Sequence, residues 1–191
     1  MSRVWRRRVA LLALLFGLGF TLRGAYIPAK AWLAQRLLEA AWQKGLAGSP
    51  PVRPWPWADM TPLARLRQPR LGIDQIVLDD ASGRSLAFGP GHVVGSARPG
   101  QPGNVVISAH RDTHFRWLAA LRAGDELQLQ NAGGVTRRYA VVRMTVHHAT
   151  EVELLDPLAG DQLRLVTCYP FDAVLPGTTL RYVVTAMPRA S

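Results

Sequence analysis

Residues 163–171 read Leu163-Arg164-Leu165-Val166-Thr167-Cys168-Tyr169-Pro170-Phe171, and they contain the only cysteine of the 191-residue chain. The apolar run with β-branched residues predicts a strand that ends at the thiol, because a proline follows two residues later. A loop therefore begins at the tip of this strand, where a substrate can approach. A single cysteine excludes an internal disulfide, so Cys168 is either a small buried apolar residue or a nucleophile.

Short strand patterns surround this stretch from about residue 70 onward. Turns rich in glycine and proline, such as Gly89-Pro90-Gly91 and Pro176-Gly177, separate them. Because no helical pattern alternates with the strands, the sequence predicts an all-β barrel or sandwich and not a βαβ fold. The strand candidates are residues 71–78, 84–88, 104–109, 126–131, 136–147, 162–168 and 179–187.

The N-terminus carries a cluster of arginines followed by an uncharged apolar run, residues 9–22. This pattern is typical of a cleaved signal peptide, with small residues at Ala29 and Ala31 as a cleavage site, or of an uncleaved signal anchor. We favour the anchor, because a helix with an apolar face continues through the candidate cleavage site. The sequence therefore predicts a basic N-terminus at 1–8 and a transmembrane signal anchor at 9–28.

The distribution of charge in the chain indicates where the protein lies in the cell, and it argues against nucleic acid as a partner. The net charge is +10, and part of that excess is the N-terminal arginine cluster. Because basic residues stay on the cytoplasmic side, we expect a single-pass protein of the inner (cytoplasmic) membrane whose C-terminal domain faces the periplasm or the outside. The remaining arginines are scattered and no nucleic-acid-binding motif is present, so no nucleic acid is expected as a partner.

Residues 29–69 connect the predicted anchor to the β-domain, which we place at 70–191. Residues 29–47 predict an amphipathic helix that either braces the domain, which we favour, or lies on a lipid surface. Residues 50–62 are rich in proline and tryptophan. Prolines favour an extended linker, and its two tryptophans predict that it lies along a groove of the domain. The apolar stripe of the helix consists of Trp32, Leu33, Leu37, Leu38, Ala41 and Trp42.

His110 is the best candidate for a proton partner of the thiol. It closes the strand pattern 104–109, so it stands at a strand end as Cys168 does. Two strand ends at one rim of a barrel can bring distant side chains together, and a thiolate needs a base or a positive field. His114 could join His110 and Asp112 in binding a metal, but no second carboxylate or cysteine cluster completes the set, so neither a metal nor a cofactor is expected.

Arg181 is the candidate for stabilising an oxyanion. It lies in a β-branched run, where an arginine usually faces solvent. The strands at 162–168 and 179–187 are separated by about ten residues and are expected to pair as a hairpin. Such a hairpin would set Arg181 beside Cys168, where its guanidinium can donate hydrogen bonds to a substrate oxygen.

These three segments together resemble the sortase family of cysteine transpeptidases. Sortases have a Thr-Leu-x-Thr-Cys strand ending, and residues 164–168 match it except at Arg164. They also have a strand that ends in histidine, as at His110, and an arginine in the strand after the cysteine loop, as at Arg181. The resemblance covers about residues 70–187 and implies a closed β-barrel of about eight strands with short helices. The segment Pro54-Trp55-Pro56-Trp57-Ala58-Asp59 looks like the Gram-negative (proteobacterial) class, GN.

The resemblance implies a mechanism and partners. Cys168 would attack the threonine carbonyl of an LPxTG-like sorting signal near the C-terminus of a protein substrate, giving a thioester. An amine acceptor of the cell envelope would then resolve it, with His110 as general acid and base. Arg181 would stabilise the oxyanion and bind the signal, and Thr167 would help to order the site through its hydroxyl and bind the substrate.

Two other interpretations compete with a sortase. A transpeptidase that cross-links peptidoglycan stems would have a histidine shortly before its cysteine, and Leu165-Val166-Thr167 stands there instead. The second interpretation is a membrane-tethered β-domain that acts as a non-catalytic binding or assembly module. In that case Cys168 would be a buried structural residue.

Overall fold

A computed structural model describes Trp5, Phe16, Tyr26 and residues 29–151, 159–173 and 177–189. The chain forms two compact units, Met1–Arg36 and Leu37–Ser191. In the first unit, residues 29–36 are helical, and the Arg36 guanidinium lies over the Trp32 ring at 5.2 Å from its centroid. The second unit holds the β-domain.

The described residues of the β-domain form eight strands and three short 3-10 helices. The 3-10 helices are Pro69–Leu71, Ser85–Ala87 and Arg116–Ala120. The strands are β1 (Pro62–Gln68), β2 (Ile73–Leu78), β3 (Gly91–His92), β4 (Asn104–Ser108), β5 (Glu126–Asn131), β6 (Thr136–His148), β7 (Gln162–Tyr169) and β8 (Leu180–Pro188).

The strands close into a barrel in the order β1-β2-β3-β4-β7-β8-β6-β5, with β5 paired to β1. This confirms the predicted closed all-β barrel of eight strands. Most pairs are antiparallel, but β2 with β3 and β4 with β7 are parallel, the latter in register from Asn104↔Gln162 to Ser108↔Val166. Parallel neighbours need a long connection, and β5 and β6 lie within the connection from β4 to β7.

The core of the barrel is built from residues that alternate along each strand. On β7, Leu163 and Leu165 are fully buried among the core residues. Because successive side chains point to opposite faces, Val166 and Cys168 lie on the outer face of the barrel. Large core side chains from the other strands are Leu66, Val105, Ile107, Leu127, Leu129, Tyr139 and Val184.

The β-domain begins earlier than residue 70, where the sequence placed its start. β1 spans Pro62–Gln68 and pairs with both β2 and β5, so residues 62–68 belong to the barrel and not to the linker. Ala64 and Leu66 are fully buried, whereas Arg65 and Arg67 point outward and bind Asp74. The alternating arginines hid the strand pattern, because only two apolar residues in the strand are fully buried.

The predicted strand at 84–88 is wrong, because Ser85–Ala87 forms a 3-10 helix. Its hydrogen bonds are local: the Leu86 N–H donates to the Ser82 carbonyl and the Phe88 N–H to the Ser85 carbonyl. The Ser82 N–H in turn donates to the Asp80 side chain. These short-range bonds use the backbone groups that a strand would offer to a neighbour.

The helix predicted at 29–47 is observed at 29–46. Within the second unit, Leu38 and Trp42 are almost completely buried in a second apolar cluster with Ile76 and Leu78 of β2. The brace interpretation of this part of the helix therefore holds. Trp55 of the linker packs edge-on against Phe88 at 5.1 Å, whereas Trp57 is 79% exposed. Only one of the two linker tryptophans therefore packs against the domain.

The predicted signal anchor at 9–28 lies outside the described residues, apart from Phe16 and Tyr26. Both of these are helical and exposed. Within the described ranges, no helix combines the length and the apolar character needed to cross a membrane.

Replacement of Trp42 by alanine is expected to destabilise the barrel. The side chain is 1% exposed and anchors the helix on β2, so its loss should cost about 3–5 kcal/mol of unfolding free energy. Urea unfolding of the full chain, followed by circular dichroism, measures this. Trp32→Ala on the same helix is the matched control, because Trp32 is 61% exposed and should cost below about 0.5 kcal/mol.

Candidate active site

The parallel pairing of β4 and β7 positions His110 beside Cys168. The register keeps a constant offset along both strands, ending at Ser108↔Val166. The pairing continues one step beyond β4, because the Ala109 N–H donates to the Val166 carbonyl at 3.2 Å. The same offset puts the next residue, His110, level with Cys168. His110 is exposed and Cys168 is half-buried, so both are open to a ligand.

The antiparallel pairing of β7 and β8 positions Arg181 on the other side of the thiol. Cys168 and Arg181 are direct partners across the two strands, so their side chains share one face of the sheet. The predicted antiparallel pairing of the two strands, with Arg181 beside Cys168, is therefore observed. Within the described ranges, Arg181 uses only Nη1 for hydrogen bonds, to the carbonyls of Thr178 at 2.6 Å and Leu180 at 2.9 Å. Its Nε and Nη2 can therefore donate to an oxygen at the thiol.

Thr167 ties the two strands together immediately before the thiol. Its side chain is 1% exposed, and its hydroxyl donates to the Ala109 carbonyl at 2.7 Å. The hydroxyl proton is committed to this bond, so Thr167 orders the backbone at His110. Contact between Thr167 and a substrate stays a prediction.

Arg111 is a site residue that sequence reasoning missed. Its side chain is 6% exposed, and its guanidinium donates to the carbonyls of Pro170 at 2.9 Å and Ala173 at 2.7 Å. Both acceptors lie shortly after Cys168. They are 59 and 62 residues further along the chain than Arg111. The only sequence signal was that Arg111 adjoins His110, which gives no information on such distant acceptors.

His147 extends the row of site residues onto a third strand. It is the direct partner of Arg181 on β6, so it shares the face of Arg181 and Cys168. Its Nε2 lies 2.7 Å from the Thr145 hydroxyl, and its Nδ1 contacts the Glu151 carboxylate at 2.5 Å. A backbone hydrogen bond from His148 lowers the pKa of Glu151, and the bond with His147 lowers it further. Of the two adjacent histidines, His147 is thus the one on the face of the thiol.

His92 and His114 lie in surroundings that restrict them to a structural role. His92 is buried, and its Nε2 contacts the Ala97 carbonyl at 2.9 Å. Burial lowers the pKa of His114, and the charge of His110 lowers it further, against a backbone hydrogen bond with Ala87 that raises it. The lowered pKa favours the neutral form of the His114 imidazole. Within the described ranges, no group of three or more His, Cys, Asp or Glu residues could hold a metal ion.

A protein-family model described as "Sortase domain" matches residues 66–189 of this chain. The chain belongs to the sortase family. Members of this family are cysteine transpeptidases, and the match contains His110, Cys168 and Arg181.

Individual sortases show how far the similarity extends. Sortase D of Bacillus subtilis (strain 168) is 29% identical over 120 residues, which is 62% of this chain and 60% of that protein. A sortase E variant from Streptomyces avermitilis is 31% identical, with a TM-score of 0.57 over 68% of this chain and 88% of that one. The Sortase D5 transpeptidase of Clostridium perfringens shares the fold, with a TM-score of 0.66 at 20% identity, over 83% of this chain and 99% of that one. This sortase therefore spans about 60% of the curated relative that it matches.

Replacement of Thr167 by valine is expected to destabilise this sortase by about 1–3 kcal/mol. The change keeps the shape of the side chain but removes the donor to the buried Ala109 carbonyl. Urea unfolding measures the effect. Thr136→Val is the matched control, because Thr136 is exposed on β6 and should change stability by less than about 0.5 kcal/mol. Equal stability of the two variants would show that the Thr167 bond contributes nothing.

Proposed function

We propose that this sortase is a membrane-anchored cysteine transpeptidase that cleaves an LPxTG-like sorting signal and transfers the substrate protein to an amine acceptor of the cell envelope. One observation carries the proposal. Cys168 stands between His110, level with it on one side, and Arg181, its direct partner on the other. A nucleophile, a proton carrier and an oxyanion donor thus meet on one face of the barrel.

In the first half-reaction the thiol is acylated. His110 takes the thiol proton as Sγ of Cys168 bonds to the carbonyl carbon of the threonine in the sorting signal. The carbonyl oxygen gains negative charge, which the free guanidinium donors of Arg181 stabilise. Collapse of this intermediate breaks the peptide C–N bond. His110 gives its proton to the leaving amine, and a thioester remains on Cys168.

In the second half-reaction the thioester is resolved. The amine acceptor attacks the thioester carbonyl and His110 removes a proton from the amine. A new amide bond forms, the C–S bond breaks, and the thiolate of Cys168 is protonated by His110. Arg181 stabilises the same oxygen in both halves, because that carbonyl stays at the same place on the sheet.

The N-terminal sequence supports a location for this reaction. The arginine cluster before the uncharged run 9–22 supports a retained anchor in the inner membrane, with the barrel on the periplasmic or outer side. The segment 54–59 supports assignment to the Gram-negative class. Within it, Trp55 packs edge-on against Phe88, so this part of the linker contacts the β-domain.

A non-catalytic binding module is the second candidate function. It requires a buried, unreactive Cys168, and the half-buried position of Cys168 on the outer face of β7 favours the enzyme instead. Labelling with a methanethiosulfonate reagent separates the two functions. The enzyme requires reaction in the folded protein, whereas a binding module would react only after denaturant is added.

Cys168→Ala is expected to abolish cleavage, because no other group in the chain can form the thioester. We expect at least a roughly 10³-fold lower rate of cleavage of a fluorogenic Leu-Pro-x-Thr-Gly peptide, measured by chromatography of the fragments. Met187→Ala is the control, because Met187 is 46% exposed near the far end of β8. Wild-type cleavage by the alanine variant would disprove the proposed function.

Arg181→Lys is expected to lower kcat/KM for the same peptide by roughly tenfold or more. The lysine ammonium keeps the charge but has no planar fork, so it cannot replace Nε and Nη2 at the oxyanion. Arg189→Lys is the matched control, since Arg189 is 52% exposed and pairs with Glu126 beyond the end of β8. Equal kcat/KM for the two variants would remove Arg181 from the mechanism.

A further inference from the structure

Arg111 places a positive charge almost entirely inside the protein next to His110. Its side chain is 6% exposed, whereas Asp112, which it contacts at 3.3 Å, is 69% exposed. A buried cation is costly unless its donors are satisfied. Asp112 is largely hydrated, so backbone carbonyls supply much of the compensation.

The carbonyls that Arg111 contacts define the two ends of one turn. Nη1 donates to the Pro170 carbonyl and Nη2 to the Ala173 carbonyl. The turn is closed by the Ala173 N–H, which donates to the same Pro170 carbonyl at 3.4 Å. A single guanidinium therefore fixes the whole turn 170–173, and this turn is the direct continuation of Cys168 and Tyr169.

The Arg111 contacts complete a set of ties on both sides of the reacting pair. Before the pair, Thr167 donates to the Ala109 carbonyl, and the Ala109 N–H donates to Val166. After the pair, Arg111 donates to the turn that follows Cys168. The His110 carbonyl is itself held by the N–H of the buried Phe115 at 3.0 Å. The segment of His110 is therefore hydrogen-bonded to the segment of Cys168 both before and after the two reacting residues.

We propose that Arg111 is a positioning residue of the reaction: by holding the turn 170–173 to the segment of His110, it fixes Cys168 and His110 relative to each other. This inference rests on the proposed function. The hydrogen bonds described for Arg111 reach backbone carbonyls, so it acts through the backbone on either side of the two reacting groups. Since a shift of about 1 Å can slow a reaction roughly 100-fold, loss of these bonds acts on the chemical step and not on binding.

The test compares Arg111→Met and Arg111→Lys with Arg137→Met as the matched control. The Arg137 guanidinium also joins a backbone carbonyl, of Gln101, to a second segment, at Asp161. Asp161 precedes the start of β7, at the opposite end of the strand from Cys168. All variants are measured in the full chain for melting temperature and for kcat and KM on the sorting-signal peptide.

We expect Arg111→Met to lower kcat roughly 10- to 100-fold while KM changes less than about threefold. Arg111→Lys should recover part of kcat, because its ammonium can reach one of the two carbonyls. Arg137→Met should keep wild-type kcat even if its melting temperature falls as much as that of Arg111→Met. Wild-type kcat in Arg111→Met, a loss confined to KM, or an equal loss of kcat in Arg137→Met would overturn the inference.

Alkylation of Cys168 by iodoacetamide near pH 10 gives a readout that needs no peptide substrate. At that pH an ordinary thiol is ionised, so the rate reports access to sulfur. Release of the turn 170–173 should raise the rate at least about threefold in Arg111→Met and leave it unchanged in Arg137→Met, and equal rates would overturn the inference. The proposed function and the role of Arg111 are refuted by different results. If Cys168→Ala still cleaves the peptide, the proposed function is refuted. If Cys168→Ala is inactive but Arg111→Met is fully active, only the role of Arg111 is refuted.

Discussion

The parallel pairing of β4 with β7 is the constraint on which the rest of this structure depends. Both strands are buried on their inner face, where Val105 and Ile107 meet Leu163 and Leu165. A slip of one residue would turn these apolar side chains outward, so the register is strongly specified. The same register brings His110 level with Cys168. The core of the barrel and the geometry of the site therefore have one physical origin.

Sequence alone predicted that Cys168, His110 and Arg181 lie together, because each one ends or interrupts an apolar strand. Cys168 and His110 follow runs that read clearly as buried strands, and the hairpin at Arg181 followed from the short connection. The strand β1 was missed because Arg65 and Arg67 alternate with its buried residues. Their charges are satisfied by Asp74 from the next strand, a contact that periodicity does not show.

The contacts that hold the site could not be predicted, because they join side chains to distant backbone. Arg111 donates to carbonyls 59 and 62 residues away, and any residue type offers a carbonyl. Likewise, Thr167 reads as part of a cysteine motif, but its partner Ala109 has no distinguishing side chain. The position of His147 opposite Arg181 also depends on the register of β6, which contains a bulge between Val141 and Arg143. The proposed reacting groups could thus be predicted from the sequence, whereas the contacts that hold them could not.

Disulfide trapping in the full chain carrying His110→Cys tests the register claim most directly, since Cys168 is the only natural cysteine. Level residues on neighbouring strands lie about 5 Å apart at Cα, within the range of a disulfide. The register therefore predicts an intramolecular bond between positions 110 and 168 after mild oxidation, seen as a loss of 2 Da (about two hydrogens) by intact mass spectrometry. Ser108→Cys, two residues out of register, should stay reduced or form dimers. Efficient closure from position 108, with none from position 110, would show that the thiol and the imidazole do not meet as described.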